Sequence, residues 1–207
     1  MSPFQNLPPI VVECPSCGER YLISGDQGFH SEKAIYFSDS FYLDEFNWRT
    51  PEIIGCVTCE LGFFPETGKI IATPDWDEFY KNWSHLKQAL PPSAGSLVLE
   101  LRARKNMELS VEKILRKELW YSALHTETGK ALLANNMKFK NFWVASLERL
   151  ENMLVVEDNE EKILKAEVNR QLGRFNTCLE IIDQLKGKLP EAIKSEALKG
   201  NSLLFTI

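Results

Sequence analysis

Four of the five cysteines fall into two pairs, each with the spacing of a metal-binding turn. The first pair reads Cys14-Pro-Ser-Cys17-Gly and the second reads Cys56-Val-Thr-Cys59. In such a turn two thiolates can point at one ion, backbone amides can donate to the sulfurs, and proline and glycine favour the tight bend. Because two pairs supply the four-sulfur tetrahedral shell that zinc prefers, the sequence predicts a structural Zn²⁺ held by Cys14, Cys17, Cys56 and Cys59.

Other uses of these thiols stay open at this point. A rubredoxin-like iron site suits Cys-Pro-Ser-Cys-Gly, although Glu60 and Leu61 follow the second pair. A redox pair would begin a helix inside a βαβ unit, which the sequence does not indicate, and four unrelated core thiols are the remaining alternative. Four protein ligands leave no open position for water, so we expect no metal catalysis. The fifth cysteine, Cys178, is expected to be buried on the apolar face of a helix.

Length and composition indicate a folded protein with reduced thiols. A chain of 207 residues, 44% of them apolar, can bury the core of one domain or two small ones. No run approaches the roughly eighteen apolar residues that cross a bilayer, and the start of the chain does not resemble a secretory signal. We therefore expect a cytoplasmic protein whose cysteines are thiols or metal ligands rather than disulfides.

Charge is distributed unevenly along the chain. Residues 1–95 contain 6 Lys/Arg and 13 Asp/Glu, whereas residues 96–207 contain 18 Lys/Arg and 16 Asp/Glu. Zinc ribbons often bind nucleic acid, but binding needs basic side chains that face phosphate. Because the cysteine-bearing half is acidic, nucleic acid is an unfavoured partner and a protein partner is expected.

The cysteine-bearing half reads as β structure. Ile10–Val12 and Tyr21–Ile23 flank the first pair, and Ile53-Ile54 and Phe63-Phe64 flank the second, which predicts two hairpins with a cysteine pair at each tip. The 38 residues between the pairs are rich in aromatic residues over positions 29–48. We expect this insert to close over the ribbon as a small core, and a binding surface is the alternative.

From Thr73 onward the pattern is helical. Thr73-Pro74 is a suitable helix start, and aromatic residues recur at helical spacing from Trp76 to Trp83. Pro91-Pro92 with the following small residues is the predicted linker. Six further helices are predicted, at about residues 96–106, 110–125, 139–155, 160–172, 176–186 and 191–204.

The predicted fold class is α+β, with two domains. Residues 1–72 are expected to form a β-rich zinc-ribbon domain with an aromatic insert. Residues 73–207 are expected to form an all-α helical bundle. Ser110 and Asn159 are predicted helix caps, and Gly173 and Gly187 sit where left-handed residues end helices.

Residues 160–190 resemble one tetratricopeptide repeat. Ala166 occupies the small position at the helix crossing, Gly173 and Phe175 fit the inter-helix turn, and Cys178 stands at a second small position. Gly200 follows Ala166 by 34 residues, as the first helix of a next repeat would require. The two-part plan is similar to that of a group of uncharacterised bacterial proteins with an N-terminal zinc ribbon and a C-terminal tetratricopeptide-like helix pair. The resemblance implies peptide or protein binding, with Asn169 and Arg170 as contact candidates and plain solvation of both as the alternative.

No reaction is indicated by the sequence. His30, His85 and His125 lack a carboxylate or nucleophile at a diagnostic spacing, and phosphate-binding and hydrolase motifs are absent. The leading hypothesis is a non-catalytic, zinc-stabilised protein-interaction module, such as an adaptor or an immunity or antitoxin protein. The second hypothesis is a nucleic-acid-associated regulator, whose predicted basic face comprises Arg102, Arg104, Lys105, Arg116 and Lys117. The third is a metal-dependent enzyme with an unrecognised site.

Overall fold

The polypeptide folds into two units, and its chain passes between them three times. A computed structural model describes residues 8–23, 35–40, 42–43, 52–103 and 107–206. The first unit is formed by residues 1–34 and 44–103, and the second by residues 35–43 and 104–207. A short segment from between the two cysteine pairs therefore belongs to the second unit. Residues 73–103, which were predicted to belong to the helical domain, belong to the first unit.

The elements follow a strand-then-helix order along most of the chain. The strands are β1 (Ile10–Glu13), β2 (Arg20–Ile23), β3 (Ile35–Tyr36), β4 (Tyr42–Leu43), β5 (Ile54–Gly55), β6 (Gly62–Phe63), β7 (Lys69–Ala72) and β8 (Lys87–Gln88). The helices are α1 (Trp76–Glu78), α2 (Ala94–Ala103), α3 (Leu109–His125), α4 (Glu127–Asn135), α5 (Met137–Met153), α6 (Asn159–Gln171), α7 (Phe175–Ile182) and α8 (Lys188–Leu198). The described chain is thus mixed α+β, with N-terminal strands followed by helices.

The first unit is built on a four-stranded sheet in the order β7-β1-β2-β8. β1 pairs antiparallel with β2 and β7, and β8 joins β2 in parallel. β5 and β6 form a separate antiparallel pair. Both predicted hairpins are therefore confirmed, because β1–β2 and β5–β6 flank the two cysteine pairs.

The region after Thr73 departs from the predicted long helix. Only Trp76–Glu78 is α-helical, a π-helical turn covers Phe79–Trp83, and the chain then extends into β8. The helix is capped by Asp75, whose side chain accepts from the Glu78 amide at 2.8 Å, and not by Thr73. Aromatic residues spaced three and four apart fit an α-helix and a π turn equally over so short a stretch, which explains the error.

The predicted linker at Pro91-Pro92 is also wrong. Pro92 is buried in the first unit, where its Cα lies 2.7 Å from the position that a Cβ on Gly55 would take. The amide of Gly55 donates to the Leu90 carbonyl at 2.9 Å, which ties this segment to β5. The prolines end an extended segment and lead directly into α2, because proline suits the residues before a helix.

The second unit contains α3 to α8 and an inserted hairpin, residues 35–43, in which β3 pairs with β4. One core cluster joins α3, α5 and α6 through residues that include Trp120, Leu147 and Val168. Another joins α6, α7 and α8 and includes Ala166 and Cys178, both 0% exposed. The predicted burial of Cys178 is confirmed.

Five of the predicted helices of the second unit are present with shifted ends, and α4 was not predicted. Gly173 and Gly187 have φ values of +74° and +130°, as expected of residues that end or separate helices. Gly200 does not lie inside a helix as the repeat spacing predicted, because α8 ends at Leu198 and Gly200 follows with φ +69°. Asp158, and not Asn159, caps α6 by accepting from two amides.

Candidate metal centre

The two cysteine turns, Cys14–Cys17 and Cys56–Cys59, share one pattern of main-chain hydrogen bonds. In each turn the amide of the first cysteine donates to the carbonyl five residues later, at 2.7 Å in the first turn and 3.0 Å in the second. The amide four residues after that cysteine donates back to the cysteine carbonyl, at 3.0 Å and 2.9 Å respectively. The two turns are therefore near copies, although their sequences share only the cysteines.

The residue that closes each turn adopts a left-handed backbone. Gly18 has φ +77° in the first turn and Glu60 has φ +61° in the second. Glycine takes this conformation without strain, and the tight bend was expected at Gly18. Glu60 takes it at a steric cost, because its Cβ approaches the backbone.

The four paired sulfurs converge on one point. Their Sγ atoms all lie within 4.8 Å of one another. Cys14 and Cys59 sulfurs are 3.8 Å apart, and those of Cys17 and Cys56 are 3.4 Å apart. These separations exceed an S–S bond of about 2.05 Å, and the cysteines are free thiols. They lie at and slightly below the edge of about 3.8 Å that a tetrahedron with metal–sulfur bonds of about 2.3 Å would have. The donor set and its spacing fit a tetrahedral metal ion.

The cluster has a buried side and an open side. Cys14 and Cys56 are each 2% exposed and form a core with β-strand residues that include Val12, Ile54 and Phe63. Cys59 is partly buried and Cys17 is exposed. A metal bound here would fasten two hairpins to the core of the first unit, which is the arrangement of a structural site.

Tyr21 adds a hydrogen bond to the cluster that was not predicted. Its hydroxyl donates to the Cys56 sulfur at 3.2 Å and accepts from the Val57 amide at 3.0 Å. The side chain is 2% exposed and lies in β2. The only sequence signal was a tyrosine in the strand that leaves the first turn, where an apolar residue would satisfy the strand pattern equally well.

Burial and hydrogen bonding give the cysteine thiols of the cluster different pKa values. Burial alone would raise the pKa of Cys56, but hydrogen bonds from Tyr21 and from backbone amides of the same turn lower it to about 6. The Glu19 amide lowers the pKa of Cys17, but desolvation and the neighbouring thiols outweigh it and raise that pKa to about 12. Burial also raises the pKa of Cys14. One thiolate therefore forms readily at neutral pH, and binding a metal through all four would release protons.

Asn169 and Arg170, the predicted contact candidates, are instead buried in the second unit. They are 1% and 0% exposed, so neither partner contact nor solvation describes them. The Arg170 guanidinium donates to both carboxylate oxygens of Glu167, at 2.6 Å and 2.7 Å, and to the Leu203 carbonyl at 2.8 Å. The chain after α8 folds over Arg170, which the polar character of α6 could not reveal.

The inserted hairpin buries its polar residues in this unit. Ser38 and Asp39 are both 0% exposed. Ser38 donates to Glu167 at 2.7 Å, and Asp39 lies 2.8 Å from the Nε2 of His125. The insert was predicted to close over the ribbon as a small aromatic core. Its described part does not do so, because Tyr36 is 40% exposed and the hairpin packs on helices of the second unit. Of the insert aromatics, Phe29, Phe41, Phe46 and Trp48 lie outside the described residues.

The predicted basic face can be followed only in part. Arg104 and Lys105 lie outside the described residues, and Arg116 pairs with Glu112 at 2.7 Å.

Lys117 lines a cavity of about 190 Å³ in the second unit. The other lining residues are Lys113, Trp120, Leu150, Leu154, Asp158, Glu160, Glu161 and Leu164. Burial would raise the pKa of Glu161, but Lys113 and the Val155 amide lower it, so this carboxylate is held ionised rather than poised to donate a proton.

No protein-family model matches the chain, and the comparisons with curated proteins and with solved structures gave no significant match. The class defined by the structure is therefore a mixed α+β protein whose N-terminal strands carry a four-cysteine cluster able to hold a metal ion. In the described part of the chain, no helix has the length and apolar character needed to cross a bilayer.

Proposed function

We propose that the protein is a non-catalytic protein-interaction module stabilised by a structural Zn²⁺ on Cys14, Cys17, Cys56 and Cys59. The observation that carries the proposal is the convergence of these four sulfurs within 4.8 Å. Four thiolates fill a tetrahedral shell and leave no position for a substrate or a reactive water. Zinc suits the site because it has no redox chemistry and accepts four sulfur ligands without geometric strain.

The size of the elements supports a structural role for the ion. β5 and β6 contain two residues each, and β1 and β2 four each. Strands this short give few ladder hydrogen bonds and little apolar burial, so the hairpins need another source of stability. Structural zinc sites in small modules supply about 10–16 kcal/mol of apparent binding free energy.

Charge and helix packing support a protein partner. The first unit contains 7 Lys/Arg and 13 Asp/Glu, and a four-thiolate site would make it more acidic. Such a surface attracts basic partners and repels phosphate backbones. α6 and α7 are proposed to be a tetratricopeptide-like pair, a helix arrangement used widely for protein binding. An adaptor role, or an immunity or antitoxin role against a basic toxin, fits this chemistry.

Metal analysis of cysteine variants tests the zinc assignment. The wild-type protein, purified from medium containing both zinc and iron, should contain about one zinc per chain by mass spectrometry. Cys59→Ala should lose most of this zinc, and Cys178→Ala, a buried cysteine of the second unit, should retain it. Iron in place of zinc, or equal retention by both variants, would contradict the proposal.

Partner capture at two salt concentrations tests the interaction role. The zinc-loaded protein is expected to retain a stoichiometric protein at low salt and to release it when the salt is raised, because charge steering is screened. Binding of DNA or RNA with a steep salt dependence would favour the regulator hypothesis instead. If no macromolecule binds at low salt, the interaction role fails.

A further inference from the structure

Two aromatic side chains of the first unit stack on each other at the surface. The ring centroids of Trp76 and Tyr80 are 5.7 Å apart, with 27° between the planes. The two residues are 39% and 66% exposed. Tryptophan and tyrosine are enriched at protein interfaces because their rings give a large contact area with few rotatable bonds. The pair therefore has the residue types of an interaction surface.

The backbone below the pair has an unusual form. The α-helical turn Trp76–Glu78 passes into the π-helical turn Phe79–Trp83, which the Ser84 amide closes by donating to the Phe79 carbonyl at 3.0 Å. π turns are rare and occur frequently at functional sites. This winding places Trp76 and Tyr80 on one side and directs Phe79 inward, where it is 9% exposed.

Phe79 anchors the exposed rings to the core of the first unit. It makes edge-on contacts with Trp76 at 5.8 Å and with Tyr80 at 5.3 Å between ring centroids. Phe79 also packs in a core cluster with Val11 and Leu22. Because the rings are held in place before any partner arrives, little conformational entropy is lost when they are covered.

Three carboxylates lie next to the stacked pair in the sequence. Asp75, Asp77 and Glu78 are exposed, and Lys81 is the one basic residue between positions 75 and 84. A stacked aromatic face beside carboxylates favours an ammonium or guanidinium group, through cation–π contact and a charge-assisted hydrogen bond. The same carboxylates repel a phosphate backbone, which would otherwise bring bases to stack on the rings.

We infer that this acidic aromatic turn, formed by Trp76, Asp77, Glu78, Phe79 and Tyr80, docks a lysine- or arginine-bearing segment of a partner protein. The inference rests on the proposed interaction function and assigns its surface. The cationic group lies over the rings, its aliphatic stem covers them, and Asp77 or Glu78 accepts its hydrogen bonds. An arginine suits the site best, since its planar guanidinium stacks on aromatic rings and forms paired hydrogen bonds to a carboxylate.

A peptide titration of the full-length, zinc-loaded protein tests this surface. The probe is a short peptide of alternating arginine and glycine, and its glutamate-for-arginine counterpart is the charge control. In ¹H–¹⁵N NMR spectra the arginine peptide should shift the indole N–H of Trp76 and the amides of residues 76–80. The indole N–H signals of Trp120 and Trp143 in the second unit should stay in place, and the affinity should fall as salt rises.

Matched variants distinguish binding at this turn from nonspecific attraction of the peptide to an acidic protein. Trp76→Ala and Asp77→Lys should each weaken peptide binding about tenfold or more, as expected for central contacts of an interface. Leu99→Ala removes another exposed apolar side chain of the first unit, 68% exposed, and should leave binding unchanged. Glu180→Lys makes the same charge change at an exposed residue of α7 and should have little effect. Asp77→Lys alters a solvent-exposed side chain and so tests the surface even if Trp76→Ala fails to fold.

Three results would overturn the inference. They are shifts confined to residues outside the turn, unchanged affinity of Asp77→Lys, or tighter binding of an oligothymidine strand than of the arginine peptide. If wild-type and Asp77→Lys proteins capture the same protein partner equally, the proposed function stands and this surface is wrong. If neither captures any partner, the proposed function fails, and the peptide titration still decides whether the turn binds cations.

Discussion

The Tyr21 hydroxyl donates a hydrogen bond to the Cys56 sulfur across 3.2 Å, which joins the strand leaving the first cysteine turn to the second turn. The same oxygen accepts from the Val57 amide at 3.0 Å. Since Tyr21 is only 2% exposed, water cannot easily replace either contact. Tyr21 is therefore placed to orient the Cys56 sulfur, a candidate metal ligand, and to stabilise its thiolate form.

Replacing Tyr21 by phenylalanine should weaken metal binding while leaving the packing of the ring intact. We expect the zinc affinity of Tyr21→Phe to fall by about 10–100-fold, the usual effect of removing an outer hydrogen-bonding partner. Competition with a chromophoric chelator measures the affinity, and the thiolate charge-transfer bands of the Co²⁺-substituted protein should shift as well. Tyr36→Phe, in the inserted hairpin of the second unit, is the control. Equal affinities and spectra for wild type and Tyr21→Phe would contradict the role of the hydroxyl.

Removing one partner of the buried ion pair in α6, Glu167 and Arg170, should strongly destabilise the second unit. In Arg170→Met the Glu167 carboxylate, 0% exposed, loses its cation, and we expect the second unit to lose about 3–5 kcal/mol of stability. The exposed pair of Arg174 and Glu148, in which the arginine side chain is 43% exposed, offers a matched control. Arg174→Met should cost at most about 1 kcal/mol. Denaturant unfolding followed by helical circular dichroism measures both.

A double variant distinguishes ion-pair loss from lost packing. Glu167→Leu combined with Arg170→Met removes both charges, so much of the stability lost in Arg170→Met should return. Ser38 would still lose its acceptor, which limits the recovery, because an unsatisfied buried hydroxyl costs about 1–3 kcal/mol. If the double variant is less stable than Arg170→Met by more than this cost, removing the unpaired charge gives no benefit, and the stability lost in Arg170→Met comes from packing.

The ionised Glu112 side chain should make the stability of the second unit depend on pH. Hydrogen bonds from Arg149 at 3.1 Å and 3.2 Å lower the pKa of Glu112, and Arg116 lowers it further against the opposing effect of burial. A folded pKa below the unfolded value of about 4.3 means that ionised Glu112 stabilises the fold above that pH. This stabilisation is lost as the pH falls through the folded pKa. Glu112 is 15% exposed, so the pair is only partly screened by water.

Glu112→Gln should therefore be less stable than wild type at pH 7, by about 1 kcal/mol. The difference should shrink towards zero as the pH falls below about 4, because both proteins then carry a neutral side chain at this position. Urea unfolding at each pH, with the two proteins compared under the same metal conditions, measures it. Glu127→Gln, at a side chain 92% exposed, is the control and should change the stability little at pH 7. A difference that grows on acidification would contradict the assignment.

Local signals in the sequence located much of this fold. The cysteine spacing predicted two hairpin tips whose sulfurs converge, and left-handed Gly173 and Gly187 were expected from their positions at helix ends. Each of these features is decided within a few residues along the chain, where spacing and backbone preference act together.

Features that depend on distant residues could not be predicted. Ser38 and Glu167 are separated by 129 positions, and nothing near either residue specifies the other. α4 was missed because Gly129 lowers its helix propensity. The structure explains that glycine, since a Cβ there would lie 2.0 Å from the Ser122 carbonyl oxygen. The close packing of α4 against α3 requires glycine at this position, and it overrides the low helix propensity of that glycine. Sequence patterns do not reveal such packing.

The two left-handed positions of the cysteine turns give a paired prediction, because Gly18 and Glu60 occupy equivalent places in near-identical turns. A side chain at such a position costs roughly 1–2 kcal/mol relative to glycine. Glu60→Gly should therefore stabilise the first unit by about 1 kcal/mol after the greater flexibility of glycine in the unfolded chain is included.

Gly18→Ala should destabilise the same unit by about 1 kcal/mol, because backbone strain outweighs the lower flexibility of alanine in the unfolded chain. No steric clash adds to this strain, since a Cβ at Gly18 would meet no atom within 4 Å among the described residues. Thermal unfolding of the zinc-loaded proteins measures both changes. Glu60→Gln removes the charge but keeps the Cβ, so it should leave the stability nearly unchanged. If Glu60→Gln stabilises the unit as much as Glu60→Gly does, repulsion between Glu60 and the thiolates explains the gain, and the backbone explanation is wrong.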